Sequence, residues 1–118
     1  MVWEDNNFLV LHIKNYSAAK YYGKNTKWCI SGNFAGNENK GEYYFNTYLQ
    51  NDYSAFYFVI NKHTGEKWCI CMKKNAPKTI KEIWDVLNEP VENIPGLPTI
   101  TEIGYEENRE EFYFDDTE

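Results

Sequence analysis

The sequence predicts an α+β fold: a single domain built on an antiparallel sheet with two or three short helices. Three observations lead there. At 118 residues the chain supports one core and not two. Its apolar share of 42% and aromatic share of 18%, carried by ten Tyr, seven Phe and four Trp, exclude a disordered chain. Short apolar runs bounded by Gly and Asn alternate with segments of helical spacing, and two of those runs lie one tight turn apart. Residues 1–105 are expected to form the domain, and 106–118 an acidic, aromatic C-terminal tail.

Taken in order, Phe8-Leu9-Val10-Leu11-His12-Ile13 is a buried strand with no room for a helix before Asn15. Ser17 is placed to cap a short helix through Tyr22, with Gly23 as a left-handed stop. Thr26 to Ser31 reads as extended, and the Gly and Asn between Gly32 and Gly41 mark a loop. Glu42 to Leu49 reads as a helix, because Tyr44, Phe45, Tyr48 and Leu49 fall at helical spacing. Ala55–Ile60 and Lys67–Met72 are strands joined in a hairpin around Gly65, with Trp68, Ile70 and Met72 on one face and Cys69 and Cys71 on the other. Thr79 to Leu87 is expected to be a helix: Thr79 and Glu82 match a reciprocal cap, and Ile80, Ile83, Trp84 and Leu87 form a stripe. Asn88 to Pro98 connects to a last strand over Thr99 to Tyr105.

The net charge of −6 hides a segregation. Residues 1–13 carry two acids and no base, and residues 14–81 hold eleven Lys against four acids, a net of +7. Residues 82–100 contribute −4, and residues 101–118 hold eight acids against Arg109, a net of −7. A segregated chain can offer faces of opposite sign to different partners. Three Cys without a basic, apolar leader fit a reducing cytoplasm, and no apolar run approaches the length of a membrane span. Fourteen Asn and eleven Lys with one Arg are the usage of an AT-rich genome.

The string Tyr22-Gly23-Lys24-Asn25-Thr26-Lys27-Trp28-Cys29, followed by Tyr44-Phe45-Asn46-Thr47-Tyr48 and an aromatic hairpin, resembles a group of small phage-encoded domains with a Tyr-Gly-x-x-Thr-x-Trp-Cys motif. The likeness runs over roughly residues 8 to 87 and implies a phage or prophage origin. It carries no activity with it.

Four kinds of chemistry are open to these residues. Cys29, with Lys24 and Lys27 nearby in sequence to favour thiolate, is the candidate nucleophile of a cysteine-dependent enzyme. It would need His12 or His63 as base and Asp52 or Asp85 to orient it. A Cys beside a Trp on a strand has a plainer reading as core, so the chain is expected to bind rather than catalyse. Cys29, Cys69 and Cys71 lack the two-residue spacer of zinc sites, and neither a metal nor a cofactor is expected. Lys20, Tyr22, Lys24, Thr26, Lys27 and Trp28 are candidates for a nucleotide pocket, although no phosphate-loop pattern is present. The fullest use of the sequence is a phage-type module that inhibits or modulates a bacterial host protein. Its Glu107, Glu110, Glu111, Asp115 and Asp116 would enter a basic groove around Phe112, Tyr113 and Phe114 as anchors. Direct binding of duplex DNA and of membrane is not expected.

Overall fold

A computed structural model of the chain describes residues 3–96, 100–106 and 111–116, with side chains over 4–96. The fold is α+β, as the sequence predicts. Six strands form one antiparallel meander in chain order: β1 (Trp3–Glu4), β2 (Phe8–Ile13), β3 (Tyr53–Asn61), β4 (Lys67–Lys73), β5 (Ile80–Trp84) and β6 (Pro90–Val91). The long β2–β3 connection holds both α-helices, α1 (Tyr16–Tyr22) and α2 (Gly41–Asn51). Between them lie two single 3-10 turns, Cys29–Ser31 and Glu38–Lys40. Two further strands, β7 (Ile100–Glu106) and β8 (Glu111–Asp116), pair antiparallel with each other.

Both faces of the central strands are dry, which explains why their sequences read as continuous apolar runs rather than alternating ones. One face carries Leu11, Ile13, Phe56, Phe58, Cys69 and Cys71, and packs under α1, α2 and the buried Trp28. The other carries Phe8, Val10, Tyr57, Val59, Trp68, Ile70, Met72 and Ile83, and meets Ile94 from the chain after β6. The hairpin lies where expected, with β3 and β4 registered Phe58 to Cys69 and Val59 to Trp68, and Gly65 turns it at φ +76°. Trp68, Ile70 and Met72 do share a face opposite Cys69 and Cys71.

Thr79 to Leu87 is not a helix; Ile80–Trp84 is a strand. A bulge is the reason. The β4–β5 register shifts between Cys71 and Met72, so Ile80 and Ile83 point to the same face although three residues apart. One inserted residue thus imitates the i, i+3 spacing of a helix. Three smaller expectations also fail. Asn15 caps α1, its Oδ1 accepting from the Ala18 amide at 2.9 Å, where Ser17 was expected. Gly23 sits at φ −89°, and the left-handed residue after α1 is Asn25 at φ +68°. Thr26 to Ser31 is not a strand but descends into the 3-10 turn.

His12 lies on the second face, where it pairs across the ladder with Tyr57 and stacks on its ring at 4.8 Å between centroids. Burial, and then the Lys14 charge, lower its pKa below the ordinary 6.5. The unfolded chain therefore takes up the proton first as pH falls through about 6.5, and this contribution to stability is present above that pH and lost below it. Melting temperatures measured from pH 7.5 to 5 are expected to fall less steeply for His12→Gln than for the parent. Parallel curves would show that the ring titrates as it does in the unfolded chain.

Candidate functional site

The site is built from the Gly23 to Asn33 segment. Thr26 is buried and knots it: its hydroxyl donates to the Gly23 carbonyl at 2.7 Å and accepts from the Trp28 amide at 3.3 Å. The Asn33 side-chain amide donates to the same carbonyl at 2.8 Å. Gly23 is needed for closeness, since a Cβ there would collide with the Ser31 hydroxyl. From below, the Lys67 ammonium donates to the Tyr22 and Lys24 carbonyls, each at 2.8 Å.

With that turn fixed, the Trp28 indole is fully buried against Phe58, and its N–H donates to the Asp85 carbonyl at 2.7 Å. The Lys27 amide donates to the Val86 carbonyl at 2.8 Å. These two bonds draw the turn after β5 against the 3-10 turn. That second turn is held by the Asp85 carboxylate, which accepts from the Leu87 and Glu89 amides at 2.9 and 3.0 Å. Asn88 sits in it at φ +65°, a conformation asparagine tolerates better than most residues. On the other side Gly41, the first residue of α2, meets Gly32 so closely that a Cβ would lie 2.8 Å from the Gly32 backbone. The start of α2 is thereby brought against Cys29.

The result is a cleft of about 240 Å³ lined by Cys29, Phe34, Asn37, Tyr44, Tyr48 and Asn88. Among the described residues, no charged one lines it. Tyr44 and Tyr48, one helical turn apart on α2, stack with centroids 6.3 Å apart and form one wall. The Cys29 thiol donates to the Tyr48 hydroxyl oxygen over 3.9 Å, a long, weak contact that leaves the phenolic hydrogen available to a ligand. Burial pushes the Cys29 thiol above its ordinary value. Burial, with Cys29 beside it, raises Tyr48 to about 12. Both groups stay protonated at neutral pH. The Asn88 Oδ1 is buried and without a hydrogen-bond partner among the described residues, which costs about 1–3 kcal/mol until something donates to it.

Compared with family models, curated proteins and solved structures, the chain matches none.

The residues singled out from sequence are distributed as follows. Cys29 opens on the cleft, but no imidazole stands beside it: His12 is on the opposite face of the sheet, and His63 lies in the β3–β4 turn against Asn7. Asp85 shapes the neighbouring turn through its carboxylate, and Asp52 ends α2. Cys69 and Cys71 are buried side by side in the core with sulfurs 3.9 Å apart, and among the described residues no cluster of three metal-ligating side chains occurs. Of the nucleotide-pocket set, Thr26 and Trp28 are buried with their polar groups turned into the fold, whereas Lys20, Tyr22, Lys24 and Lys27 are exposed. Glu107 and Glu110 lie outside the described residues; Glu111, Phe112, Tyr113, Phe114, Asp115 and Asp116 are described only as the backbone of β8. Sequence reasoning missed Phe34, Asn37, Tyr44, Tyr48 and Asn88. The available signal was the excess of rings in Tyr43 to Tyr48 over what one buried helix face can use.

Two outcomes follow. In native protein at pH 7.5, iodoacetamide is expected to modify Cys29 more slowly than in the urea-unfolded chain and to speed up as pH rises, read by mass spectrometry; equal rates would mean an unperturbed thiol. Trp28→Phe removes the indole N–H and leaves the Asp85 carbonyl without its donor, so urea unfolding should register a loss of about 1–3 kcal/mol.

Proposed function

We propose that the domain is a binding module whose cleft at Cys29 takes an uncharged, planar, hydrogen-bonding heterocycle of the nucleobase class. Of the ligand classes expected from sequence, this belongs with the nucleotide reading, moved from the Lys20 to Trp28 surface into the neighbouring cleft. The carrying observation is the lining: three rings, two of them phenols, two side-chain amides and a thiol, with no charge among these described residues. Rings bind flat heterocycles by stacking whatever their sequence identity, and the amides read their edges. The unpartnered Asn88 oxygen asks for an N–H donor, and the Tyr48 hydroxyl can supply a donor in return. The volume suits one ring system; drug-sized ligands occupy roughly 300 Å³ and more.

Catalysis by Cys29 has less support. Its pKa is raised rather than lowered, and neither His stands beside it to take the proton. The host-protein reading rests on side chains of 107–116 that lie outside the described part, and so adds nothing to the cleft.

Calorimetric titration with the common nucleosides tests the reading. At least one is expected to bind, and Tyr44→Ala is expected to weaken it by about 1–3 kcal/mol, roughly 5- to 150-fold. Asn88→Ala should change the order of preference among bases. Silence across the whole series would remove the proposal.

A further inference from the structure

The cleft is one end of a longer track along α2. Tyr44, Tyr48 and Asp52 follow each other at four-residue intervals, so they form one stripe on the side of the helix next to β5. Rings continue along this stripe: Tyr48 meets Tyr53 at 5.8 Å and Trp84 at 6.4 Å between centroids, and Tyr53 meets Trp84 at 6.0 Å. The Lys81 ammonium stands 5.1 Å over the Tyr53 ring. There the track opens into a second groove of about 380 Å³, lined by Lys73, Lys74 and Lys81 with Asp52 as its one acid among the described residues. Lys74 also donates to the Leu49 carbonyl at 2.6 Å, which ties the β4–β5 turn to the last turn of α2 and fixes the groove. The other acid on the track, Glu82, accepts from the Tyr53 hydroxyl.

Tyr44 in the neutral, ring-lined cleft and Asp52 in the cationic groove are thus eight residues apart, about 12 Å along the axis of α2. A base and its own 5′-phosphate are too close together to reach both. A stacked strand advances about 3.4 Å per nucleotide, so a run of roughly four nucleotides covers the distance. We infer that the ligand is a short single-stranded segment of nucleic acid, one base held in the Cys29 cleft and its downstream or upstream phosphates among Lys73, Lys74 and Lys81. This rests on the cleft taking a nucleobase. Half-buried Trp84 and Tyr48 provide stacking surface between the two ends.

Fluorescence anisotropy with labelled single-stranded octamers of dA and of dT, beside calorimetry with nucleosides, mononucleotides and a duplex, tests it. The preferred octamer is expected to bind at least tenfold more tightly than its mononucleotide, and the duplex more weakly than either strand. In K73Q/K81Q the octamer should lose tenfold or more and its logarithmic salt slope should become shallower by about 1.4, two phosphate contacts' worth, with nucleoside affinity unchanged. Lys73→Gln alone leaves the Lys81 contact with Tyr53 in place and should give about half that change in slope if the double variant melts early. An octamer no tighter than its nucleoside would overturn the extension while the cleft reading stands. Nucleosides that do not bind would overturn the cleft reading. Binding of an acidic peptide that depends on Lys73 and Lys81, with octamers silent, would assign the groove to a protein ligand and overturn this one.

Discussion

The bond from the Trp28 indole to the Asp85 carbonyl is the constraint on which the rest of the site depends. It joins residues 57 positions apart, and it does so from inside the core, where the indole is fully buried against Phe58. A large ring with a single polar atom makes a good anchor of this kind, because the apolar body fixes position while the N–H accepts only one orientation. Once Trp28 is seated, the next residue has little choice of direction. Cys29 begins a 3-10 turn that ends at Gly32 in the left-handed region, and the turn delivers the thiol to the start of the cleft. The same bond brings Asn88 to the opposite wall. The Tyr-Gly-x-x-Thr-x-Trp-Cys string is therefore scaffold in its first seven residues and lining in its last.

The electrostatics of the cleft follow from that burial. A thiol meant to attack is usually set beside a cation or a base that favours thiolate. Here the strongest influence on Cys29 is loss of water, which favours the neutral form, and Tyr48 is raised for the same reason. Two neutral groups sharing one weak contact present a donor and a polarisable surface, which suits a site whose remaining members are rings and amides. Asn88 Oδ1, buried and without a partner among the described residues, is the cost of this arrangement, and in the proposed function it is the group that would select a donor.

Much of the sheet was legible because its signals are local. Alternation in Lys67 to Met72 places the two cysteines on one side and Trp68, Ile70 and Met72 on the other without knowledge of the fold. The β3–β4 hairpin and α2 are equally local. What misled was β5, where a bulge resets alternation and gives Ile80 and Ile83 the spacing of a helix face. A bulge depends on the partner strand, so no window of sequence contains it. The site was less legible still. Cys29 stood out, but its neighbours come from the loop at Phe34 and Asn37, from α2 and from the turn after β5, and their meeting is decided by Trp28 and by the Gly32–Gly41 approach. Tyr44 and Tyr48 were visible as helical spacing, and nothing local separates rings that fill a core from rings that line its edge.

Geometry also bears on the form of nucleic acid that the proposed track would accept. In a duplex every base has its faces covered by neighbours and its pairing edge occupied, so a cleft the size of one ring system can be entered only after unstacking. Single strands avoid that cost. The sequence-wide charge pattern works in the same direction. The lysine groove is drawn from the basic stretch of the chain, whose eleven Lys lie between residues 14 and 81, while acids dominate at both ends. Fields of opposite sign cancel at distances beyond a Debye length and survive close to the groove, where Lys73, Lys74 and Lys81 outnumber Asp52. On the proposed reading, a chain of net charge −6 would draw a rigid duplex weakly from afar yet hold a flexible strand that reaches the groove, with selectivity set by the neutral cleft rather than by total charge.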